Sequence, residues 1–270
     1  MKAKKLRAVY FSPTGTTQAV VREVARSLAR ELQIEYTETD FTLPSARQDP
    51  LVFEKDELVV FGTPVYAGRV PNVLLRYLSE MQGKGALAVP VVLFGNRAFD
   101  DALAELAKIL HGAGCHILAA GAFVGEHSFS YILAKGRPDK NDLLQAEKFA
   151  VSVVQKLKTT DWAAEELGIP GDPEKYYQPR SAHGKAIDIR KAKPVTGEAC
   201  DECGICATVC PMGSIPEENV RECTGICIKC GACIKKCPKH AKYFDDEGYL
   251  YHKTELEKKF QRRAEIQLFL

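Results

Sequence analysis

The chain has 270 residues, of which 46% are hydrophobic and 27% charged, with a formal net charge of +2. That length is enough for about two domains with a substantial core, and the composition is ordinary for a globular protein. The small net charge gives no reason to expect nucleic acid as a partner, and no apolar run approaches the length of a bilayer span.

The opening M-K-A-K-K-L-R-A-V-Y-F carries charges, and Ser12 and Pro13 interrupt its apolar run before a secretory signal can form. Leu6 to Phe11 reads as a strand and S-P-T-G-T-T as a tight loop. Val20, Val24, Leu28 and Leu32 follow at helical spacing. Strand, loop and helix open a parallel α/β domain. Ser12, Thr14, Thr16 and Thr17 offer hydroxyls around Gly15, beside a helix N-terminus whose free amides attract anions. The loop lacks the lysine of G-K-[ST], so it suits a single phosphate better than a polyphosphate. The bland alternative is a helix start capped by Ser and Thr.

The next strand, Glu57 to Gly62, leads into T-P-V-Y-A-G-R-V-P. Pro64, Val65, Tyr66, Ala67 and Gly68 then form a rigid loop at the carboxyl edge of the sheet, where α/β folds bind ligands. Tyr66 is either a ring for stacking on a flat ligand, worth about 0.5 to 1.5 kcal/mol beyond its area, or a surface tyrosine in a turn. Ala86 to Phe94 form another strand, ending in G-N-R-A-F-D-D. The amides of Gly95, Asn96 and Arg97 are expected to bond the carbonyl oxygens of a ring that Phe99 flanks, with Asp100 in the same loop. Leu103, Leu106 and Leu110 mark a helix, and Cys115 reads as a small buried apolar residue. The strand His116 to Val124 ends in G-E-H-S-F-S, which brings His127 and Ser128 to the same edge, as a ligand rim or as an ordinary loop. A helix from about Asn141 to Leu157 closes the domain.

In combination these loops resemble flavodoxin: S-x-T-G-x-T, P-V-Y-A-G and G-N-R occur in order on successive strand ends. The resemblance implies a doubly wound parallel sheet of order 2-1-3-4-5, with FMN at the switch point and the loop residues named above as its contacts. Thr16-Thr17 stands where many flavodoxins have N-T, which keeps an amide and a hydroxyl.

Asp161 to Ala199 is polar and proline-punctuated, a connector in which Ile187 to Ile189 add an extended piece and His183 is solvated. Beyond it, C-D-E-C-G-I-C-A-T-V-C-P and C-I-K-C-G-A-C-I-K-K-C-P repeat the spacing C-x-x-C-x-x-C-x-x-x-C-P. This is the pattern of bacterial two-cluster ferredoxins. In that module the last cysteine of each run crosses over. The resemblance therefore assigns Cys200, Cys203, Cys206 and Cys237 to one [4Fe-4S] cluster, and Cys227, Cys230, Cys233 and Cys210 to the other. Pro211 and Pro238 turn the chain away after each crossing cysteine, and Gly204 and Gly231 leave room for backbone amides near the cluster. Nine of the ten cysteines crowd into this one segment, which speaks against a disulfide framework. Zinc knuckles need no third C-x-x-C step followed by C-P. Cys223, Cys227 and Cys230 share the spacing of radical enzymes, but two of them already belong to the double repeat, so Cys223 reads as a spare thiol.

Tyr243 to Tyr251 and a charged helical tail from about Thr254 end the chain, with the apolar end of Gln267 to Leu270 docking on a domain surface. The whole resembles the fused flavodoxin-ferredoxin proteins of anaerobic prokaryotes, sometimes called EFR-type ferredoxins. It implies an FMN domain at residues 1–160, a connector at 161–195, a small α+β two-cluster domain at 196–246 and a tail at 247–270.

A flavin takes two electrons together and releases them singly, whereas each cluster passes one. Joined on one chain they make a converter between redox partners of ferredoxin or reductase type, in the cytoplasm, where thiols stay reduced. The rival is a reductase that passes electrons to a small organic acceptor at FMN. Lys229, Lys235, Lys236, Lys239 and Lys242 are expected to make the surface near one cluster basic, and so to dock an acidic partner.

Overall fold

The computed structural model describes residues 3–158, 167–173 and 176–270, so the boundary expected at 160/161 lies outside the described residues. The chain begins β1 (Lys5–Tyr10), α1 (Thr16–Leu32), β2 (Tyr36–Asp40), β3 (Glu57–Pro64), α2 (Leu75–Ser79), β4 (Leu87–Phe94) and α3 (Ala102–Gly112). It continues with β5 (His116–Ile117), β6 (Ala120–Val124), α4 (Lys140–Leu157), β7 (Val195–Thr196), α5 (Ile205–Thr208) and α6 (Ala232–Lys235). It ends with β8 (Lys242–Tyr243), α7 (Glu247–Lys259) and β9 (Gln267–Phe269).

Strands β2-β1-β3-β4-β6 lie side by side in parallel, with β5 pairing β4 beside β6. The expected fifth strand is thus one line of chain broken at Leu118 and Ala119. The architecture is α/β, with the doubly wound order 2-1-3-4-5. Period-2 alternation divides the core. Leu6, Ala8, Tyr10, Leu58 and Val60 face α1 and α4, whereas Val9, Phe11, Val59 and Phe61 face α3. Helices thus cover both faces, and β4 is buried along its whole length, as parallel sheets require.

The tail departs from the helical reading. Asp246 accepts a hydrogen bond from the Tyr249 amide at 2.8 Å, which starts α7 about seven residues earlier than the charge pattern indicates. After α7 the chain returns as β9, antiparallel to β6, with Ala120 opposite Phe269. The apolar terminus therefore protects the edge of the sheet. Ile187 to Ile189 add no strand, although Ile189 packs with Phe129, Phe244 and Tyr249. The cysteine segment is a small α+β unit of α5, α6 and the β7-β8 ribbon. No helix among the described residues is long and apolar enough to cross a membrane.

Candidate functional site

The loops after β1, β3, β4 and β6 meet at the carboxyl edge of the sheet around one cleft. Thr14, Thr16, Thr17, Pro64, Val65, Tyr66, Gly95, His127 and Ser128 line it. Pro13, Leu93, Phe94, Gly125 and Glu126 line it too, without having been expected. Gly125 is the informative one: a Cβ there would stand 3.0 Å from that of Thr16, so its bareness lets two loops close together.

Gly15, at φ +92°, launches α1 without a cap from its own position; the Ser12 hydroxyl takes the Gln18 amide, which leaves the amides of Thr16 and Thr17 for an anion. Ser12 serves the loop and does not line the cleft. Its Oγ accepts from the Gln18 amide at 2.9 Å, and its own amide donates to Thr42 at 2.8 Å. Tyr66 and Arg69 close a two-residue turn through reciprocal backbone bonds of 2.9 and 3.1 Å. Ala67 and Gly68 both have positive φ at its tip, the conformation of a type I′ turn.

The G-N-R loop faces elsewhere than expected. Of its residues only Gly95 reaches the cleft. The Arg97 amide is taken by the Gly95 carbonyl at 2.9 Å. The Arg97 guanidinium pairs with Asp100 and lies 3.8 Å from the centroid of the Tyr177 ring. Asp100 occupies the space beside Gly68, so these residues lock two loops together. Phe99 is buried against Phe94, because a phenyl gains more in the core than at a rim. Asn96 turns inward and holds the tail: its amide donates to the Phe260 and Arg262 carbonyls at 2.6 Å and accepts from the Ala264 amide at 3.2 Å.

His127 lines the cleft with its Nδ1 accepting from the Phe129 amide at 3.0 Å, which leaves the ring proton on Nε2. Burial first, then the charges of Lys235, His252 and Arg97, push its pKa down to about 3. The imidazole is therefore neutral at ordinary pH. A Cβ on Gly95 would sit 2.4 Å from this ring, so glycine is required for the approach.

The eight cysteines of the double repeat separate into two cavities. Cys200, Cys203, Cys206 and Cys237 line one; Cys210, Cys227, Cys230 and Cys233 line the other. The repeats match in backbone as well as in sequence. Glu202 and Lys229 hold φ +59° and +55°, and Gly204 and Gly231 φ +79° and +74°. Cys210 accepts from the Ser214 amide and Cys237 from the Ala241 amide, each at 3.3 Å. Burial lifts the Cys230 thiol to about 12 and raises Cys233 as well, so these groups keep their protons unless a cation replaces them. Cys223 also lines the second cavity. Its hydrogen bond to Cys227 holds that thiol below its ordinary value while its own rises.

Among the described residues, no three His, Cys, Asp or Glu side chains converge on a point that could hold one metal ion. A cubane asks for something different, one thiolate at each of four irons. The cleft and the two cysteine cavities are narrow, about 50, 20 and 10 Å³, against roughly 300 to 1,000 Å³ for common ligand sites.

The cleft and the second cysteine cavity share a wall. Gly231 abuts Ser128: a Cβ at Gly231 would stand 2.5 Å from the Ser128 carbonyl oxygen. Burial raises the Tyr66 phenol well above its ordinary value, with Cys230 and Cys227 across the wall adding to the effect. Lys235 pairs with Glu126 and donates to the Ser130 carbonyl at 2.9 Å, and Arg47 donates to the Pro211 carbonyl at 2.6 Å.

These contacts overturn the expected basic surface. Lys229 and Lys242 are buried, donating to the Cys227 carbonyl at 2.8 Å and the Val220 carbonyl at 2.6 Å, and Lys235 is spent on the first domain. Only Lys236 and Lys239 of the five are exposed. Backbone carbonyls left over by the tight loops draw the lysines inward.

The order of the sheet and the cleft at its carboxyl edge define a flavodoxin-like α/β domain. Solved structures similar to the chain include a flavodoxin from the domain Archaea, at 13% identity and TM-score 0.41, over 57% of this chain and 99% of that one. The flavodoxin of Streptococcus pneumonia TIGR4 is 16% identical, with TM-score 0.39, over 56% and 99%. That of Fusobacterium nucleatum bound to flavin mononucleotide is 15% identical, with TM-score 0.38, over 57% and 98%. No family profile matches the chain, and no curated protein does.

Proposed function

We propose that the chain is an electron-transfer protein in which the cleft binds FMN and the two cysteine cavities hold [4Fe-4S] clusters. Residues 1–160 would carry the flavin, 161–195 connect, 196–246 carry the clusters, and 247–270 fold back as the tail. When bound, the clusters supply one-electron steps and FMN the exchange between one and two electrons. The protein's part is to hold them in order. Thr14, Thr16 and Thr17 with the first turn of α1 suit the phosphate, Tyr66 and the neutral His127 flank the ring, and the buried thiols of each cavity take iron in place of protons.

The observation that carries this reading is the wall shared by Ser128 and Gly231, which sets one cysteine cavity directly against the cleft. The converter works between redox partners, and the reducing cytoplasm suits its thiols. An anaerobic titration tests it. Reduced ferredoxin should bleach the clusters and then the flavin, whereas NAD(P)H should leave both oxidised. Rapid flavin reduction by NAD(P)H, with the clusters idle, would overturn the proposal.

A further inference from the structure

A larger cavity, about 700 Å³, lies between residues 176–181 and α7, within the usual range for small-molecule sites. It is separate from the cleft but one layer away. His127 touches Phe129 ring to ring at 5.2 Å, and Phe129 touches His252 at 6.2 Å, each edge-on; His252 opens on the larger cavity. Tyr177, which also lines it, stacks under Arg97 of the loop that borders the cleft.

His252 is the unexplained group. It is 7% exposed, and among the described residues it makes ring contacts with Phe129 and Tyr177 but no hydrogen bond. Its ring N–H and lone pair are therefore left to whatever occupies the cavity. Burial, with Arg97 adding to it, pushes its pKa down to about 4, so it meets the cavity neutral, with one donor and one acceptor. Tyr176, Tyr177 and Phe260 supply flat apolar walls. Arg180 donates to the Gly184 carbonyl at 2.8 Å and, among the described residues, pairs with no acid, whereas Lys259 is neutralised by Glu255 at 2.7 Å. Of the described residues that line the cavity, Arg180 is the one cation without an acid.

We propose that this cavity binds a planar aromatic monoanion, with its ring against Tyr176 and Phe260, its anionic group on Arg180 and a polar atom on His252. The site needs neither FMN nor clusters, so it goes beyond the function proposed above.

The test is calorimetric titration of the full chain, as purified, with 2-naphthoate as a redox-inert probe. Cyclohexanecarboxylate keeps the charge without the flat ring, and 2-naphthalenemethanol keeps the ring without the charge. Saturable binding of one naphthoate is expected, with both comparators at least about tenfold weaker. Arg180→Gln should cost naphthoate about tenfold and leave the alcohol unchanged, and His252→Phe should weaken both aromatic ligands. Tyr176→Ala alters an exposed ring, spares the fold and should weaken the aromatic ligands only. No saturable binding, equal binding of all three ligands, or affinity indifferent to all three substitutions would overturn the proposal. Flavin and iron assayed on the same samples report separately on the cofactors.

Discussion

The two cysteine repeats share a spacing, a pair of left-handed backbone positions and an amide-to-sulfur contact, yet they live in different surroundings. In the first, Cys203 is exposed, Gly204 has nothing within 4 Å of where a Cβ would be, and Thr208 bonds only its own turn. In the second, Cys230 is buried, Gly231 presses on Ser128, and Lys235, the counterpart of Thr208, reaches into the first domain. One motif used twice lines an outer cavity and an inner one, and only the inner one abuts the cleft. The proposed function would make them an outer and an inner station in series with the cleft.

The difference can be broken at three depths. The largest effect is expected from the ligands themselves. Cys203→Ala and Cys230→Ala should each lower iron by about four atoms per chain, but with unlike consequences. Without Cys203 a small chemical reductant should still feed the inner station and the flavin, while a protein donor fails. Without Cys230 neither should reduce the flavin through the protein. Identical behaviour of the two variants in anaerobic stopped-flow experiments would contradict the series order.

The glycines come next. Alanine at either position costs about 1 to 2 kcal/mol for its positive φ. Gly231→Ala adds a clash with the Ser128 backbone, about 1 to 3 kcal/mol more, and should slow flavin reduction. Denaturant unfolding of both variants measures the gap, and equal midpoints would dissolve the shared wall. The smallest effect is expected from the residues that follow. Lys235→Met strands Glu126 and the Ser130 carbonyl, about 1 to 3 kcal/mol, whereas Thr208→Ala should stay within about 0.5 kcal/mol. The same unfolding experiment compares them.

Much of this was legible in the residues. Apolar runs of six to nine ending in Gly, Pro, Ser or Thr marked the buried parallel strands, because a strand covered on both faces leaves little choice of residue. The C-x-x-C steps group the first three cysteines of each run, and the crossing of the fourth into the other cavity is what the ferredoxin resemblance implies. Strand β2, Y-T-E-T-D, went unrecognised because it is half-solvated, with no apolar signal to report. Strand β9 is three residues long and owes its existence to an open edge. The same limit explains Asn96, Phe99 and the lysines. A sequence shows that such residues lie in a loop, but whether they face a ligand, the core or a stray carbonyl is decided by how the loops fold together, with partners as distant as Phe260 for Asn96.

The central claim is a pair of cubanes set against a flavin, and composition tests it most directly. Anaerobically purified protein is predicted to contain about eight irons, about eight acid-labile sulfides and about one FMN per chain. Zinc in their place, or a chain that neither carries FMN nor takes it up, would contradict the account.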